Sequence, residues 1–392
     1  MPLLGQRVTE TSVSADHVSS EGEALVCSMT GTDSTDCLVP GARDQISAAA
    51  CLAPSPDNNQ PWALHWEGNC LEVLHVRQRS VKSDVDDLFS WLAIGAAVEN
   101  ASLAASKLGL RAEVAWHGRP FVLRGDREHV ATVRLESGQA HDPLEAYVAQ
   151  RVTNRHPYDK TSRLATRTVE QLNRSIADTT VHAHWLAGPK PIRAVARLIQ
   201  TADRIRFENQ SFHEELHSVL RFTIEQVEAT RDGLDIRTLE LPAGIVPVLR
   251  FLRPWRRMQC MNRLGLSRTF AKVAEKQVRA SAAVVILSTE KRSDEAFLDA
   301  GRAMQRFWLQ ATAKRVAFQP LGSLPLFLLA LERAPSRFTP RHTRRLEQAK
   351  NDLNNLVPGL AQQTPVMAMR LGHAQREPSS RSMRYGKEKI GE

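Results

Sequence analysis

The sequence lacks the cysteine patterns of disulfide-rich and zinc-binding proteins. It contains five cysteines, an odd number, and no two of them form a C-x-x-C pair. Scattered cysteines of this kind are typical of reduced thiols rather than of a disulfide framework or a zinc cage. The pattern predicts a cytoplasmic protein without a structural metal.

Long apolar segments are missing as well. The N-terminal stretch MPLLGQRVTETSVSADH has no apolar signal core. A long uncharged and largely apolar run, Val316 to Leu331, is interrupted by Pro320, Gly322 and Pro325. It is shorter than the roughly 20 apolar residues of a membrane-spanning helix. We therefore expect a soluble chain with no membrane partner.

Three widespread functional motifs are absent. The sequence contains no G-x-G-x-x-G, no G-x-x-x-x-G-K-[ST] and no G-x-S-x-G, which argues against a Rossmann fingerprint, a P-loop and an α/β-hydrolase nucleophile. RNA-recognition, zinc-finger and basic-zipper patterns are also missing, so no nucleic-acid partner is expected. The net charge of +9 favours anionic ligands, but it does not select among them.

The composition is that of a globular protein. The 392 residues are 42% hydrophobic and 24% charged, which is enough material for one large domain or two ordinary ones. Residues 1–39 are rich in polar side chains and predict a flexible tail. Hydrophobic periodicity predicts helices and strands throughout the rest of the chain, hence an α+β fold. The helices are expected at Asp44–Leu52, Leu88–Leu108, Pro143–Arg151, Val169–Asp178, Pro191–Asn209, Ser211–Ala229 and Asp294–Lys314, and the strands at Trp62–Trp66, Cys70–Val76, Arg111–Trp116, Val130–Leu135, Ala282–Leu287 and Val366–Leu371.

The loop Ala53-Pro-Ser-Pro-Asp-Asn-Asn-Gln-Pro-Trp62 is the most informative segment. Its prolines fix φ, and its short polar side chains offer hydrogen bonds, so a capped helix end and a tight turn would also explain it. The segment resembles the A-P-S-x-x-N-x-Q-P-W loop of the FMN-dependent nitroreductases. The resemblance implies that Ser55 and Asn58 hydrogen-bond the flavin and that Pro54 packs beside it.

A second motif, Arg151-Val-Thr-Asn-Arg155, is similar to the R-x-S-x-[RK] segment of the same family, with threonine replacing serine. Arginine presents fixed N–H donors that suit a phosphate, and a hydroxyl group can add another donor. The resemblance implies that Arg151, Thr153 and Arg155 bind the phosphate and the O2/N1 edge of FMN. A solvated basic loop is the alternative.

Two C-terminal segments complete the resemblance. The family places a turn after a long helix at the N5 edge of the flavin, and the corresponding residues here are Gln319, Pro320, Leu321 and Gly322. A glycine at such a place lets the backbone approach a ring closely. Basic residues after the last strand of the family bind phosphate. Their candidates in this sequence are Arg381 and Arg384, unless this basic tail faces solvent.

Each part of the chain contains the motif that the other lacks. The proline–asparagine loop lies in residues 40–142 and the arginine motif in residues 143–392. We therefore predict two tandem nitroreductase-like halves, built around a mixed or antiparallel sheet core, that imitate the family's homodimer and form one FMN site. This organisation is similar to the double-length, Acg-like branch of the family. It implies a monomer that imitates a dimer, or a weak homodimer.

The resemblance implies an FMN-dependent oxidoreductase, in which NAD(P)H reduces the flavin and an electron-poor nitroaromatic or quinone reoxidises it in ping-pong order. No catalytic side chain is required, because the cofactor carries the chemistry. A low-turnover protein that stores flavin is the main alternative, and a biosynthetic dehydrogenase is another. The basic, aromatic segment Arg253–Arg268 would be either a lid over the site or a helix packed on the outside.

One further motif belongs to a different class of enzyme. His213-Glu-Glu-Leu-His217 has the H-E-x-x-H spacing of zinc peptidases, with Glu214 as the corresponding general base. A persuasive third ligand is missing, because Glu225 and Glu228 are expected on the same helix. We therefore predict no metal site, and a zinc metallopeptidase is the least favoured alternative.

Overall fold

The computed structural model describes residues 38–242 and 244–391. The predicted tail, residues 1–39, lies outside the described residues except for Leu38 and Val39. The described chain combines helices with antiparallel sheets, which confirms the predicted α+β class. In chain order, the elements before residue 143 are α1 Ala42–Cys51, β1 Trp62–Glu67, β2 Cys70–His75, α2 Leu88–Lys107, β3 Leu110–Trp116, β4 Val122–Arg124 and β5 Arg127–Ser137.

The second part of the chain is longer because it carries inserted helices. Six helices, α4 to α9, separate the first two strands of its sheet, where the first part has only a tight hairpin. The elements are α3 Thr166–Arg174, β6 Val181–Ala187, α4 Pro189–Glu208, α5 Gln210–Val219, β7 Leu220–Arg221, α6 Ile224–Thr230, β8 Leu234–Asp235, α7 Ile245–Leu252, α8 Trp255–Arg263, α9 Leu266–Arg279, β9 Ala283–Thr289, α10 Asp294–Ala313, β10 Ala317–Pro320, α11 Ser323–Arg333, α12 Pro340–Leu356, β11 Thr364–Gly372 and α13 Lys387–Ile390.

The two main sheets have the same topology. The first has the strand order β1-β2-β5-β3, with β4 paired to β5, and the second has the order β6-β9-β11-β10. Each of these neighbouring pairs is antiparallel. The third strand of each path also carries one extra residue opposite the second strand, Val130 in β5 and Val366 in β11. A bulge is a specific local feature, so its recurrence at the same place supports the predicted tandem arrangement.

Helices α2 and α10 join the two halves through a reciprocal contact. They have the same length, and each residue of α2 corresponds to the residue 206 positions later in α10 (88 to 294, 107 to 313). A Cβ on Gly95 would lie 1.9 Å from the Leu298 carbonyl oxygen, and one on Gly301 would lie 2.2 Å from the Leu92 carbonyl oxygen. Both glycines therefore permit backbone contact. The exchange of equivalent residues is that of a two-fold interface.

Polar contacts reinforce this helix pair. Glu99 is 2% exposed and accepts hydrogen bonds from Arg302 Nε at 2.9 Å and Arg306 Nη1 at 2.7 Å. Next to it, Gln305 Nε2 donates to Asn100 Oδ1 at 2.6 Å. A buried carboxylate is tolerated because both of its oxygens are paired with guanidinium groups.

The segment Val85–Lys107, which contains α2, is long and apolar enough to span a membrane by composition, but 94% of the relevant window is buried inside the protein. Its apolar surface is covered by α10, α1 and the first sheet. Packing within the protein therefore accounts for its hydrophobicity.

Two predicted helices are wrong in extent. The helix expected over Ser211–Ala229 ends at Val219, and a second helix begins at Ile224, because the Thr223 hydroxyl accepts a hydrogen bond from the Gln226 backbone N–H and caps a new helix. The helix expected over Pro143–Arg151 is only a 3₁₀ turn, Pro143–Tyr147. Most other predicted helices and strands lie within a few residues of their observed ends. Helices α7, α9, α11, α12 and α13 and strands β4, β6, β7, β8 and β10 were not predicted.

Candidate cofactor site

A cavity of about 520 Å³ lies where α2, α10 and the end of β10 meet the inserted helices. Its volume is in the usual range of small-molecule and cofactor pockets. The twelve residues that the sequence predicted as a binding site all line this one cavity. They are Pro54, Ser55, Asn58, Arg151, Thr153, Arg155, Gln319, Pro320, Leu321, Gly322, Arg381 and Arg384.

The proline–asparagine loop connects α1 to β1 and has an unusual backbone. Asp57, Asn58 and Gln60 have positive φ values of 46°, 60° and 48°. Such conformations cost about 1–3 kcal/mol each for non-glycine residues, less for Asp and Asn, and they concentrate at functional sites. The surrounding structure must therefore hold the loop in place.

Gln60 supplies much of that restraint. Its Nε2 donates to the Arg231 carbonyl oxygen at 3.0 Å, and its Oε1 accepts from the Tyr385 backbone N–H at 2.9 Å. Its own backbone N–H donates to Ser55 Oγ at 3.0 Å, which leaves the Ser55 hydroxyl hydrogen available for a ligand. Asn58 Nδ2 donates to the Met383 carbonyl oxygen at 2.9 Å. The loop is thus fastened to the C-terminal segment.

Arginine side chains converge at one end of the cavity without a carboxylate among them. Arg151 is buried, and its Nη2 donates to the Leu52 carbonyl oxygen at 2.8 Å, while its guanidinium lies 4.3 Å from the centre of the Trp308 ring. Burial and the positive charges of Arg384 and Arg381 lower the pKa of Arg151 to about 9. Within residues 38–242 and 244–391, none of these three arginines forms an ion pair. A bound anion would relieve their mutual repulsion.

The structure separates the two C-terminal arginines. Arg381 donates from Nη1 to the Ala149 carbonyl oxygen at 2.7 Å and from Nη2 to that of Gln150 at 3.0 Å, so its guanidinium holds backbone. The Arg384 guanidinium makes no hydrogen bond to any part of the chain that the structure describes, and burial lowers its pKa to about 10. Arg384 is therefore the freer donor to a ligand.

Arg155 lies in a different electrostatic setting from Arg151. Its Nη1 donates to the Thr238 carbonyl oxygen at 2.9 Å. Burial lowers its pKa, an effect that the negative charge of nearby Asp57 opposes. The two arginines of the second motif thus have different neighbours within the cavity wall.

The segment Gln319–Gly322 is the end of β10 and the start of α11 rather than an isolated turn. Gln319 Oε1 accepts from Nε of the fully buried Arg370 at 2.6 Å, and the Leu321 backbone N–H donates to the Ala368 carbonyl oxygen at 2.7 Å. A Cβ on Gly322 would lie 3.3 Å from a ring carbon of Phe89. A larger side chain there would enter the space that Gly322 leaves open.

Residues 377–391, which we call the C-terminal strap, run beside the cavity and carry both arginines. Besides its bonds to Asn58 and Gln60, the strap is held by Glu240, whose carboxylate accepts from the Ser379 backbone N–H at 2.6 Å. Farther along, the Tyr385 hydroxyl donates to Asp232 Oδ2 at 2.9 Å. Arg381 and Arg384 therefore line the cavity while the strap is bound to the rest of the protein.

Sequence analysis did not identify the polar groups on the opposite wall. Asp203 and Arg206 of α4 and Ser323 of α11 also line the cavity. Asp203 follows Ile199 by four residues and so lies on the face of α4 that its buried residues define. The sequence signal for Asp203 is a carboxyl side chain at a position of α4 where the periodicity places apolar residues.

The segment Arg253–Arg268 lies outside the cavity, in agreement with the second of its two interpretations. Trp255 packs on His213, with ring centroids 5.4 Å apart, and residues 253–268 contribute nothing to the cavity wall. The following part of α9 does, beginning at Phe270. Helix α7 also contributes, through Ile245 and Leu249.

The H-E-x-x-H motif is used for packing. His213 Nε2 lies 3.1 Å from the Leu252 carbonyl oxygen and 3.2 Å from that of Arg253, so it donates to the end of α7. Burial lowers the pKa of His217 to about 4, with help from neighbouring His213 and Arg253. Glu225 belongs to a separate helix, which corrects the expectation that it continues this one. The described residues contain no group of three or more side chains arranged as metal ligands.

The equivalent place in the first half carries larger side chains. Gly322 and Ala93 line the cavity. The offset of 206 residues relates Gly322 to Trp116 and Ala93 to Asp299. The Trp116 Nε1 donates to Asp299 Oδ1 at 2.9 Å. An indole and a carboxylate thus occupy positions that are glycine and alanine at the cavity.

The chain was compared with protein families and with known proteins. No protein-family model matches the chain. An uncharacterized protein of Mycobacterium tuberculosis is 28% identical over 335 residues, which are 84% of this chain, and the chain spans 45% of that relative's length.

The solved structures to which the chain is similar include nitroreductases. The Bacteroides fragilis nitroreductase with bound FMN is 12% identical and matches over 62% of this chain and 96% of its own, with a TM-score of 0.32. The FMN-dependent nitroreductase NfnB of Mycobacterium smegmatis, in complex with NADPH, is 14% identical and matches over 62% and 95%, with a TM-score of 0.35.

Proposed function

We propose that the protein is an FMN-dependent oxidoreductase with one flavin site, formed jointly by its two halves. The observation that carries this proposal is the convergence of Arg151, Arg381 and Arg384, without a carboxylate, in the cavity that also contains the proline–asparagine loop. Like charges are brought together in a buried place when a ligand of opposite charge binds there.

The residues present suit the phosphate of FMN. Arg151 uses Nη2 for the Leu52 carbonyl oxygen, and its Nη1 has no hydrogen-bond partner within the described chain. Arg384 offers its whole guanidinium group, and Thr153 lines the same cavity with a hydroxyl group. Guanidinium groups bind phosphate oxygens through pairs of parallel hydrogen bonds.

The remaining wall suits a flat ring. Pro54, Ser55 and Asn58 form one side, Gly322 leaves room next to Phe89, and Arg155 supplies a positive charge. A positive group beside N1 of a flavin favours its reduced, anionic form. When bound, FMN would supply hydride chemistry at N5, while these residues bind it, orient it and exclude water.

The reaction class follows from that placement. NAD(P)H would bind in the cavity, reduce the flavin and leave, and an electron-poor quinone or nitroaromatic would then bind at the same place. The described chain has no Rossmann domain, and a single cavity serves both partners by turns. We infer a cytoplasmic protein in which one chain replaces the family's homodimer.

Storage of flavin is the second candidate, and the C-terminal strap favours it. The strap carries Arg384 and is fastened at Asn58, Gln60, Asp232 and Glu240, so release of FMN requires several contacts to break. Slow release is useful to a storage protein, but it does not prevent turnover.

The test is to mix the purified, flavin-loaded protein with NADPH in the absence of oxygen and to follow the flavin absorbance. Rapid bleaching, with recovery on addition of a quinone, is expected for the oxidoreductase. A spectrum that stays oxidised would contradict turnover and favour storage. Failure of the protein to bind FMN at all would contradict both functions.

A further inference from the structure

The Asp203 carboxyl group lies in the cavity wall beside Ser323, the residue that follows Gly322. Ser323 Oγ donates to Asp203 Oδ1 at 2.6 Å. The second oxygen, Oδ2, makes no hydrogen bond with any described residue, although Asp203 is part of the cavity wall. The carboxyl group thus has one oxygen fixed and one oxygen available.

The wall around this carboxyl group is mostly apolar. Phe207 of α4 and Leu326 of α11 lie on the same two helices as Asp203 and Ser323. Helices α7 and α9, and the segment between α6 and α7, complete the wall with aliphatic and aromatic side chains. These are Leu239, Leu241, Ile245, Leu249, Phe270 and Val273.

This setting favours the protonated carboxyl group and still permits it to ionise. Burial raises the pKa of Asp203, whereas the positive charge of Arg206, one helical turn away, and the Ser323 hydroxyl act in the opposite direction. Arg206 lines the same cavity and forms no ion pair within the described residues. A carboxyl group in an apolar site with a cation nearby can release a proton to a ligand and then be stabilised as the anion.

We propose that Asp203 is the proton donor to the acceptor in the oxidative half of the reaction. This inference rests on the proposed function, because it concerns an acceptor bound over the reduced flavin. The acceptor gains two electrons and one proton as hydride from the reduced flavin, and its carbonyl oxygen takes a second proton from Asp203 Oδ2. The quinone would thereby become a hydroquinone with two electrons from the bound reduced cofactor, and the Asp203 carboxylate would recover its proton from water.

The same wall defines the class of acceptor. A mostly apolar wall with the Asp203 carboxyl group as a hydrogen-bond donor near Gly322 suits a molecule with a carbonyl or nitro oxygen at one end and an apolar body. We therefore assign the physiological acceptor to the uncharged quinones, or to nitro compounds of similar shape.

The test compares two acceptors in stopped-flow reoxidation of the NADPH-reduced protein. A benzoquinone takes up protons when it is reduced, whereas ferricyanide takes up electrons alone. In Asp203→Asn, reoxidation by the quinone should slow by about 10²- to 10⁴-fold, the usual contribution of a general acid. Reduction by NADPH and reoxidation by ferricyanide should keep the rates of the parent. Glu113→Gln, an exposed carboxyl on β3, is the matched control and should change none of these rates.

A second measurement does not depend on turnover. Infrared difference spectra between Asp203→Asn and the parent, recorded without an acceptor at the pH of the kinetic assays, should show the carbonyl band of one protonated carboxyl group. Absence of that band, or equal slowing with quinone and ferricyanide, would overturn the role of Asp203 alone. Failure of the parent to bind FMN, or to be reduced by NADPH, would overturn the proposed function as well.

Discussion

Trp116 and Gly322 occupy equivalent positions in the two halves of the chain, 206 residues apart, and Gly322 lines the cavity. Trp116 instead places its indole against Asp299. We infer from this difference that a nearly symmetric fold binds one cofactor rather than two.

Exchanging these two side chains tests that explanation. Gly322→Trp should abolish FMN binding, because the indole would enter the cavity next to Phe89. Trp116→Gly is the matched variant, and it should still bind one FMN per chain, since it opens space without supplying arginines. The amount of flavin released per chain on denaturation gives the FMN content of both variants. Two FMN per chain in the parent, or full occupancy in Gly322→Trp, would contradict the one-site model.

Arg384 should be a principal phosphate ligand. Arg384→Ala removes a charge-assisted hydrogen bond, which contributes roughly 1.5–3 kcal/mol, so the Kd for FMN should rise about ten- to a hundredfold. Arg376→Ala removes an exposed arginine from the neighbouring chain and should leave the Kd unchanged. Fluorescence titration of flavin-free protein gives both values. Equal Kd values for the two variants would remove Arg384 from the site.

Arg151 and Arg155 together should be essential for retention of the cofactor. Arg151→Ala combined with Arg155→Ala removes two positive charges from the cavity wall, and the purified variant should contain no FMN. Circular dichroism and thermal unfolding distinguish this result from a failure to fold. A folded double variant with a full complement of FMN would refute the assignment of the arginine motif.

The contact between α2 and α10 should be intolerant of any side chain at Gly95. Gly95→Ala would place a Cβ 1.9 Å from the Leu298 carbonyl oxygen, so the helices would have to separate. We expect a loss of about 1–3 kcal/mol in the free energy of unfolding, despite the higher helix propensity of alanine. Gly118→Ala is the control, because no atom lies within 4 Å of a Cβ there. Urea denaturation compares the variants, and unchanged stability in Gly95→Ala would argue against the close approach.

Asp84 should make stability depend on pH. Its carboxylate accepts from the Phe89 and Ser90 backbone N–H groups at the start of α2, yet burial raises its pKa to about 7. Because its pKa is higher in the folded than in the unfolded protein, this residue's contribution is full at low pH and is lost as the pH rises from about 4 to about 7. Asp84→Asn should flatten that slope in urea denaturation, whereas exposed Asp126→Asn should leave it unchanged. Equal slopes in Asp84→Asn and the parent would contradict the raised pKa.

The sequence predicted which residues come together at the cavity better than it predicted the extent of the helices. Short motifs such as Ala53 to Trp62 and Arg151 to Arg155 carry their own local chemistry, and all twelve of the predicted residues line one cavity. Helix boundaries near Val219 depend on a capping hydroxyl and on a distant pairing of β7 with β8, which hydrophobic periodicity does not reveal.

The wall formed by the inserted helices was not predictable for a related reason. Asp203 and Phe270 are far apart in the sequence and meet only through the packing of α4 against α9. No short motif marks either residue. The equivalence of Trp116 and Gly322 likewise becomes visible only when the two sheets are compared strand by strand.

In a homodimer of identical subunits, one gene encodes both copies of every interface residue, so each mutation changes two active sites at once. The glycine contact between α2 and α10 lies within one chain, and its two members are encoded separately. Mutation can therefore alter one half while the other keeps its sequence. Because the two halves are encoded separately, one half can acquire larger side chains such as Trp116, while the other acquires inserted helices that line its cavity.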